Sequence, residues 1–234
     1  MGTRLNKYLA DRGVCSRREA DRLIETRRVI VNGAPAVLGV VVDNDDEIVV
    51  NGVQLKRSKP KPLFIAFHKP VGLITSADTR LRDNVISFLN LPERVFPIGR
   101  LDVASSGLLL MTNDGRLAER VTHPRYHHEK EYLVTVDKPL KKADMNKMTQ
   151  GLVILGKKTR STIMNMIDDT TFRLILTEGR NRQIRRMCEE LGYEVRKLKR
   201  IRVMNIGLGD LAVGKWRHLN SEEVQMLQAL ASEE

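Results

Sequence analysis

The stretch Phe96-Pro97-Ile98-Gly99-Arg100-Leu101-Asp102-Val103-Ala104-Ser105-Ser106-Gly107-Leu108-Leu109-Leu110-Met111 combines two candidate strands with the loop between them. Phe96 to Ile98 has the pattern of a strand that runs into a turn, and the four apolar residues Leu108 to Met111 are typical of a buried strand. Asp102 therefore falls on a loop between two core strands, next to Arg100. Catalytic side chains are often carried by such loops, although an aspartate there can also do no more than cap the turn.

The chain around this loop, residues 63–234, mixes short helices with strands. Apolar periodicity predicts strands at 63–67, 131–136, 172–177 and 195–205, and helices at 85–89, 116–121, 143–150, 182–191 and 221–230. Asn113-Asp114-Gly115 predicts a turn after the buried strand. Because helices and strands do not alternate strictly, we expect an α+β fold with a mixed, mostly antiparallel central sheet.

Residues 3–58 form a separate candidate domain. Leu5, Tyr8 and Leu9 have helical spacing, and the sequence Ser16 to Glu19 predicts a capping box that starts a second helix. Strands are predicted at 29–31, near Val37 and at 47–50. A basic, proline-containing segment, residues 53–62, is predicted to be extended, and within it residues 59–62 link this domain to a second domain at 63–234.

The chain of 234 residues carries a net charge of +11, which is typical of proteins that bind a polyanion such as nucleic acid. The basic residues are concentrated on the second helix and between residues 173 and 202. No apolar run is long enough to cross a bilayer and no signal peptide is visible, so we expect a cytoplasmic protein. Cys15 and Cys188 are isolated, and no motif with metal-ligand spacing is present, so we expect no metal and no cofactor.

Three sequence positions are candidates for chemistry. Asp102 could act as a nucleophile or base, with Arg100 beside it to keep the carboxylate ionised. Tyr132 lies on an alternating strand, where its ring could stack on an unpaired base; a core tyrosine is the alternative. Gly179 to Met187 is a glycine turn that leads into an arginine-rich helix. Its Arg185 could reach a buried carboxylate, and a patch that binds only phosphate is the alternative.

Two resemblances follow from these motifs. Leu5 to Ala10, Cys15 to Ala20, Val31-Asn32-Gly33 and Asn51-Gly52 resemble a small S4 RNA-binding domain of the αL type. Gly99-Arg100-Leu101-Asp102 with Ser106 to Gly115, Lys130-Glu131-Tyr132, and Gly179 to Met187 resemble the pseudouridine synthases of the RsuA-like branch, whose members carry an N-terminal S4 domain. The chain differs from that branch at Ala104-Ser105. Residues His128 to Tyr132, Asn181 to Glu189 and Met204-Asn205 are most similar to members that act on large-subunit ribosomal RNA.

The resemblance implies an eight-stranded mixed sheet in two subdomains with the cleft between them. It implies Asp102 as the essential aspartate, Tyr132 as the ring under the target base, Arg185 as the partner of Asp102, and Leu198 as an apolar wall. Isomerising uridine to pseudouridine adds no atoms and involves no redox change, so the reaction needs no cofactor. We expect a monomer that acts on structured ribosomal RNA, with transfer RNA as a further possible partner. RNA phosphates are expected to bind Arg4, Lys7, Arg17, Arg18, Arg22, Arg180, Arg182, Arg186 and Arg200.

Other functions fit the sequence less well. A non-catalytic S4-type ribosome assembly factor explains the charge and residues 3–58, but it leaves Asp102 and Tyr132 without a role. An S4-bearing methyltransferase should show a glycine-rich cofactor loop after a strand, and we find none. Gly209 to Lys215 has the spacing of a phosphate-binding P-loop, but Trp216 stands where that loop needs Ser or Thr. We therefore expect a loop and a strand that close the sheet there.

Overall fold

Two short helices and a small sheet build the N-terminal part of the computed structural model. The elements are β1 (Thr3–Arg4), α1 (Leu5–Asp11), α2 (Arg17–Glu25), β2 (Val29–Val31), β3 (Ala34–Pro35), β4 (Val41–Val42), β5 (Ile48–Val50) and β6 (Val53–Gln54). Leu9 and Ala20 are fully buried between the two helices and the sheet β3-β2-β5-β6, as the helical spacing predicts. The structure describes residues 2–56, 58, 60–78 and 81–232.

Backbone contacts divide the chain into two units, Met1–Pro62 with Pro92–Arg94, and Leu63–Leu91 with Val95–Glu234. Lys59 of the predicted linker, Arg57 before it and Glu233-Glu234 at the end of the chain lie outside the described residues. In the described part of the chain, no helix is both long and apolar enough to span a membrane.

Three local predictions for the first unit were inaccurate. The predicted extended segment at 53–62 begins with a strand, since Val53–Gln54 pairs with β5 across the turn Asn51-Gly52. The strand predicted near Val37 lies at Ala34–Pro35 instead, and Val37 is exposed. Ser16 accepts a hydrogen bond from the Glu19 amide, but the Glu19 carboxylate pairs with Arg22 rather than completing a capping box.

A nine-stranded sheet forms the second unit, with helices on its faces. Its strands are β7 (Phe64–Lys69), β8 (Phe96–Ile98), β9 (Ser106–Thr112), β10 (Lys130–Val136), β13 (Ile163–Met166), β14 (Thr171–Leu176), β15 (Val195–Val203), β16 (Ile206–Gly207) and β17 (Trp216–His218), and the hairpin of β11 (Val153–Ile154) and β12 (Lys157–Lys158) lies apart from it. The helices are α3 (Val85–Leu89), α4 (Gly115–Thr122), α5 (Lys142–Gln150), α6 (Gln183–Glu190) and α7 (Ser221–Leu230). The main order is β13-β14-β10-β15-β9-β7-β17, so the predicted α+β class with a mixed, mostly antiparallel sheet is confirmed, with nine strands where the resemblance implied eight.

The two halves of this sheet meet at a single short parallel ladder. Lys199 pairs with Ser106 and Arg200 pairs with Gly107, and every other pairing in the sheet is antiparallel. A Cβ on Gly107 would lie 2.2 Å from the carbonyl oxygen of Arg200, so only glycine lets the two strands come this close. The loop that carries Asp102 ends at this junction.

Separate apolar clusters fill the two halves. One half is covered by α4 and α7 on one face and by α3 on the other, around Leu108 to Met111 of β9. The other half packs α5 and α6 against β10, β14 and β15. The predicted helices all form, with small shifts at their ends. Helix α7 starts with a full capping box between Asn220 and Glu223.

The turn predicted at Asn113-Asp114-Gly115 is the start of helix α4. The Asp114 side chain accepts hydrogen bonds from the amides of Arg116 and Leu117, and this caps the helix. Trp216 to His218 pairs with β7, so the P-loop-like spacing at 209–215 is indeed a loop leading into a strand.

Candidate active site

A cavity of about 380 Å³ opens in the second unit where its two sheet halves meet. It is lined by Asp102 and Arg100 from the loop before β9, by Tyr132 from β10, by Leu198 and Arg200 from β15, and by the turn before α6. Its size falls within the usual range for small-ligand sites. The structure therefore brings together residues that lie far apart in the sequence.

Backbone hydrogen bonds hold the loop that carries Asp102. The Ser105 amide donates to the Asp102 carbonyl over 3.0 Å, and the Gly72 amide donates to the Val103 carbonyl over 2.8 Å. The Thr75 hydroxyl donates to the Leu101 carbonyl over 2.7 Å. The backbone on both sides of Asp102 is thus fixed, while its half-buried side chain lines the cavity.

Lys69 lies beneath this loop and is fully buried. Its Nζ donates to the carbonyl oxygens of Pro70, Asp102 and Ser105, over 2.9, 3.3 and 2.9 Å. Burial lowers the pKa of Lys69 to about 8, against the opposing effect of the Asp102 carboxylate. The sequence analysis ended the predicted strand at residue 67 and gave Lys69 no role. The available signal was a lysine that continues an apolar strand directly before Pro70.

A second lysine, Lys130, lines the cavity. Its Nζ donates to the His128 carbonyl over 3.1 Å. Burial and the neighbouring Arg200 guanidinium lower the pKa of Lys130 to about 8. It places a further cation near the cavity that the sequence analysis did not single out.

Tyr132 is half-buried and packs against the apolar clusters of both sheet halves while it also lines the cavity. Tyr132 is thus partly a core residue, and its position at the cavity leaves stacking on a base as a prediction. Leu198 is buried and supplies an apolar part of the cavity wall. Together they give the cavity an aromatic and an aliphatic surface, which suits a planar base.

The structure corrects the expectation that Arg200 binds RNA phosphate. Arg200 is only 3% exposed, and its guanidinium donates to the carbonyls of Leu108 and Arg100 over 2.7 and 3.2 Å. Because it is buried at the β9–β15 ladder, it fastens the loop of Arg100 to the sheet. Sequence reasoning placed it on the surface because the surrounding strand is rich in basic residues.

The guanidinium of Arg180 is likewise occupied by hydrogen bonds within the protein. Its guanidinium donates to the Glu178 carboxylate and to the carbonyls of Lys157 and Lys158. Glu178 is buried and also accepts hydrogen bonds from the Gln183 side chain and the Arg160 amide, over 2.9 and 3.1 Å. Arg180 therefore shapes the turn before α6 instead of presenting a free guanidinium to phosphate, and Glu178 and Gln183 are site-forming residues that the sequence analysis did not identify.

Arg185 reaches the Asp102 loop, as expected, but through the backbone. Its guanidinium donates to the Ala104 carbonyl over 2.8 Å and to the Val195 carbonyl over 3.1 Å. Burial lowers the pKa of Arg185, and the nearby Asp102 carboxylate opposes that change. Arg185 thus braces the loop from α6 and adds positive potential near Asp102, while Arg100 is exposed at the cavity rim.

The remaining predicted phosphate ligands are more accessible. Arg182 is exposed and lines the cavity, and Arg186 is half-buried and bonds to Asn181. In the first unit Arg4, Arg17, Arg18 and Arg22 are exposed, and Lys7 is half-buried.

Comparison with known proteins gives the family. Residues 63–190 match the family model described as RNA pseudouridylate synthase, and residues 3–48 match the model of the S4 domain. The chain is 46% identical to the dual-specificity RNA pseudouridine synthase RluF of Escherichia coli K12, over 94% of this chain and 77% of that protein. The chain belongs to the RNA pseudouridine synthase family. It is an enzyme that isomerises uridine in RNA, and the recognition from sequence is confirmed.

Other relatives of this synthase agree. Ribosomal large subunit pseudouridine synthase B of Bacillus subtilis is 39% identical over 97% of this chain and 96% of that protein. A crystal structure of a pseudouridylate synthase superposes with a TM-score of 0.71 at 30% identity, covering 96% of this chain and 99% of that one. The synthase fold and the attached S4 domain are thus both confirmed.

Proposed function

We propose that this synthase isomerises a specific uridine of large-subunit ribosomal RNA, with Asp102 as the catalytic residue. The observation that carries the assignment is the fixed loop of Asp102, which presents one half-buried carboxylate to a cavity with Tyr132 and Leu198 on its other sides. The Bacillus subtilis relative, which is named for the ribosomal large subunit, supports the choice of RNA.

The geometry suits a uridine that has left the RNA stack. Tyr132 offers an aromatic surface for the uracil ring, and Leu198 excludes water from one side. Lys130, Arg182 and Arg100 provide positive charge around the cavity for the flanking phosphates. The base must unstack to reach Asp102, and these contacts repay part of that cost.

The reaction breaks the bond between C1′ and N1 and forms a bond between C1′ and C5 of the same uracil. Asp102 starts it by one of two routes. It attacks C1′ and forms a bond that breaks when C5 bonds to C1′, or it removes the 2′ proton and returns that proton to C2′ once C5 has bonded to C1′. The freed uracil then rotates within the cavity. When C5 has bonded to C1′, its proton leaves and N1 carries a proton instead, so the atoms balance without a cofactor.

The two units divide the work. We propose that residues 3–58 bind RNA through exposed cations that include Arg4, Arg17, Arg18 and Arg22, and that residues 63–234 carry the chemistry, with 59–62 as the link. Arg182 and Arg186 extend the basic surface of the second unit.

The first test measures tritium release from large-subunit ribosomal RNA that carries 5-tritiated uridine. We expect release by the wild-type enzyme and a loss of at least about a thousandfold for Asp102→Asn, which keeps the size of the side chain but removes its charge. Asp102→Asn should bind the RNA as tightly as wild type. Release by Asp102→Asn at the wild-type rate would rule out Asp102 as the catalytic group. Release only from small-subunit or transfer RNA would support the isomerisation reaction but show that large-subunit RNA is not the substrate.

A further inference from the structure

A second cavity, of about 550 Å³, lies in the second unit next to the catalytic cavity. The two cavities share His128 as a lining residue. The wall of the second cavity is the 3-10 turn Pro124–Tyr126 with the residues that follow it, and its opposite side is formed by Met226 and Leu230 of α7. None of the chemistry assigned to Asp102 uses this space.

A stack of flat groups forms one wall of the second cavity. The rings of Tyr126 and His128 lie nearly parallel, with centroids 5.7 Å apart and planes tilted by 14°. The Arg125 guanidinium lies 4.5 Å from the centre of the Tyr126 ring and donates to the Tyr126 hydroxyl. Unpaired RNA bases stack on aromatic rings and on arginine planes, so this wall has the chemistry of a base-binding surface.

The floor of the second cavity is held by hydrogen bonds of Arg202 and carries an acceptor. Arg202 donates to the carboxylates of Glu129 and Glu131, over 2.8 and 2.9 Å, and to the Met204 carbonyl over 2.8 Å. The Glu129 side chain remains 45% exposed and can accept a further hydrogen bond from a base amino group. Met204 and the exposed Met226 add apolar surface that suits the face of a large base.

The two cavities lie within reach of neighbouring nucleotides. Glu129 lines the second cavity, and Lys130 and Tyr132 line the catalytic one. Glu129 and Tyr132 are three positions apart along the chain, which is about 10 Å at the rise of a strand. A strand of RNA with its target base at Tyr132 can therefore place a nearby base against Tyr126.

We propose that the second cavity binds an unpaired purine of the same RNA, close in sequence to the target uridine. The proposal needs RNA as the substrate, which follows from the family, but it does not depend on which RNA or on the role of Asp102. The enzyme would then read two extruded bases, and an RNA that offers the uridine alone would be a poor substrate.

The first experiment places a negative charge in the cavity. Met226→Glu and Gln225→Glu add the same charge at neighbouring exposed positions of α7, and only Met226 lines the cavity. Binding is measured by fluorescence anisotropy on a stem-loop that already carries pseudouridine at the modified position, so no turnover occurs. We expect Met226→Glu to weaken binding at least about tenfold and Gln225→Glu less than about twofold. Equal effects of the two variants would overturn the proposal.

The second experiment tests for a base. Each unpaired purine around the target is replaced in turn by an abasic nucleotide. One replacement should weaken binding to wild type about tenfold or more, which is the cost of a lost base stack. The same replacement should cost nothing further in Met226→Glu, since the cavity is already closed to the base. If every abasic position costs the same in both proteins, the cavity does not hold an RNA base and the proposal fails.

Discussion

The basic side chains on α2 of the first unit and those beneath the Asp102 loop of the second unit are used in opposite ways. In the first unit, Arg17 and Arg18 on α2 are exposed, and the exposed Arg22 pairs with the half-buried Glu19 of its own helix. In the second unit, Lys69 and Arg200 are buried and donate to backbone carbonyls around the Asp102 loop. Exposed arginines are available to RNA phosphates, whereas the buried cations are occupied with the shape of the site.

This difference shows that the presence of a lysine or arginine in the sequence does not by itself indicate that its side chain binds RNA. A cation in water loses little when it exchanges solvent for phosphate, so the arginines of α2 should contribute to affinity and little to stability. A buried cation satisfies carbonyls that would otherwise be unpaired, so Lys69 and Arg200 should contribute to stability and geometry.

The largest effect is expected for Lys69→Met, which removes a buried hydrogen-bond donor from the carbonyls of Pro70, Asp102 and Ser105. We expect a loss of about 3 kcal/mol in the free energy of unfolding, measured by urea denaturation at pH 7. Lys197→Met, at an exposed position of β15, is the control and should change stability by less than about 0.5 kcal/mol. Equal losses in the two variants would mean that burial of the Lys69 amine contributes nothing.

We also expect the stability difference between the wild-type protein and Lys69→Met to depend on pH. The pKa of Lys69 is about 8 in the folded protein against an ordinary value of 10.5, so the unfolded chain binds more protons between these values. The contribution of Lys69 to stability therefore rises with pH across this window, and the deficit of Lys69→Met should grow from pH 8 to pH 10. Urea titrations of both proteins at each pH measure this difference. A deficit that shrinks with pH would contradict the direction of the shift.

A smaller loss is expected for Arg200→Met, because only two carbonyls lose their donor. We expect about 2 kcal/mol in the free energy of unfolding, together with a fall in kcat, since the Arg100 carbonyl is no longer fastened to β15. The matched control is Arg196→Met on the same strand, where the side chain is exposed and pairs with Glu194. An Arg200→Met enzyme with wild-type stability but a reduced salt dependence of RNA binding would restore the role as a phosphate ligand.

The smallest effect on stability is expected for the triple variant Arg17→Ala, Arg18→Ala and Arg22→Ala. Unfolding should change by less than about 0.5 kcal/mol per site, while RNA affinity falls and the slope of log K against log salt decreases by about one for each lost phosphate contact. The control removes three exposed charges elsewhere, with Lys141→Ala, Lys142→Ala and Lys147→Ala around α5. If both triple variants reduce the salt-dependence slope equally, the arginines of α2 are not special contacts to RNA and the contrast between the two units is wrong.

The sequence predicted elements better than it predicted burial. Local periodicity was enough for α2, β9 and α6, and motif resemblance was enough to place Asp102, Tyr132 and Leu198 around one cavity. The roles of Lys69 and Arg200 depend on which carbonyls meet them from other strands, and a parallel ladder of two residue pairs leaves no pattern in either strand alone. The sequence alone also does not fix the cap of α7, since Asn220 and Ser221 are both good cap residues and tertiary context decides between them.

The two-pair ladder between β9 and β15 also sets the order in which the enzyme becomes active as it is made. The Arg200 side chain at this ladder bonds to the Leu108 carbonyl, 92 residues away along the chain, so the contact forms only after a long loop has closed. A chain that leaves the ribosome amino end first exposes the Asp102 loop well before β15 exists to complete the cavity. The nascent synthase therefore carries its aspartate without the wall formed by Leu198, and it gains its activity only when synthesis has passed Val203.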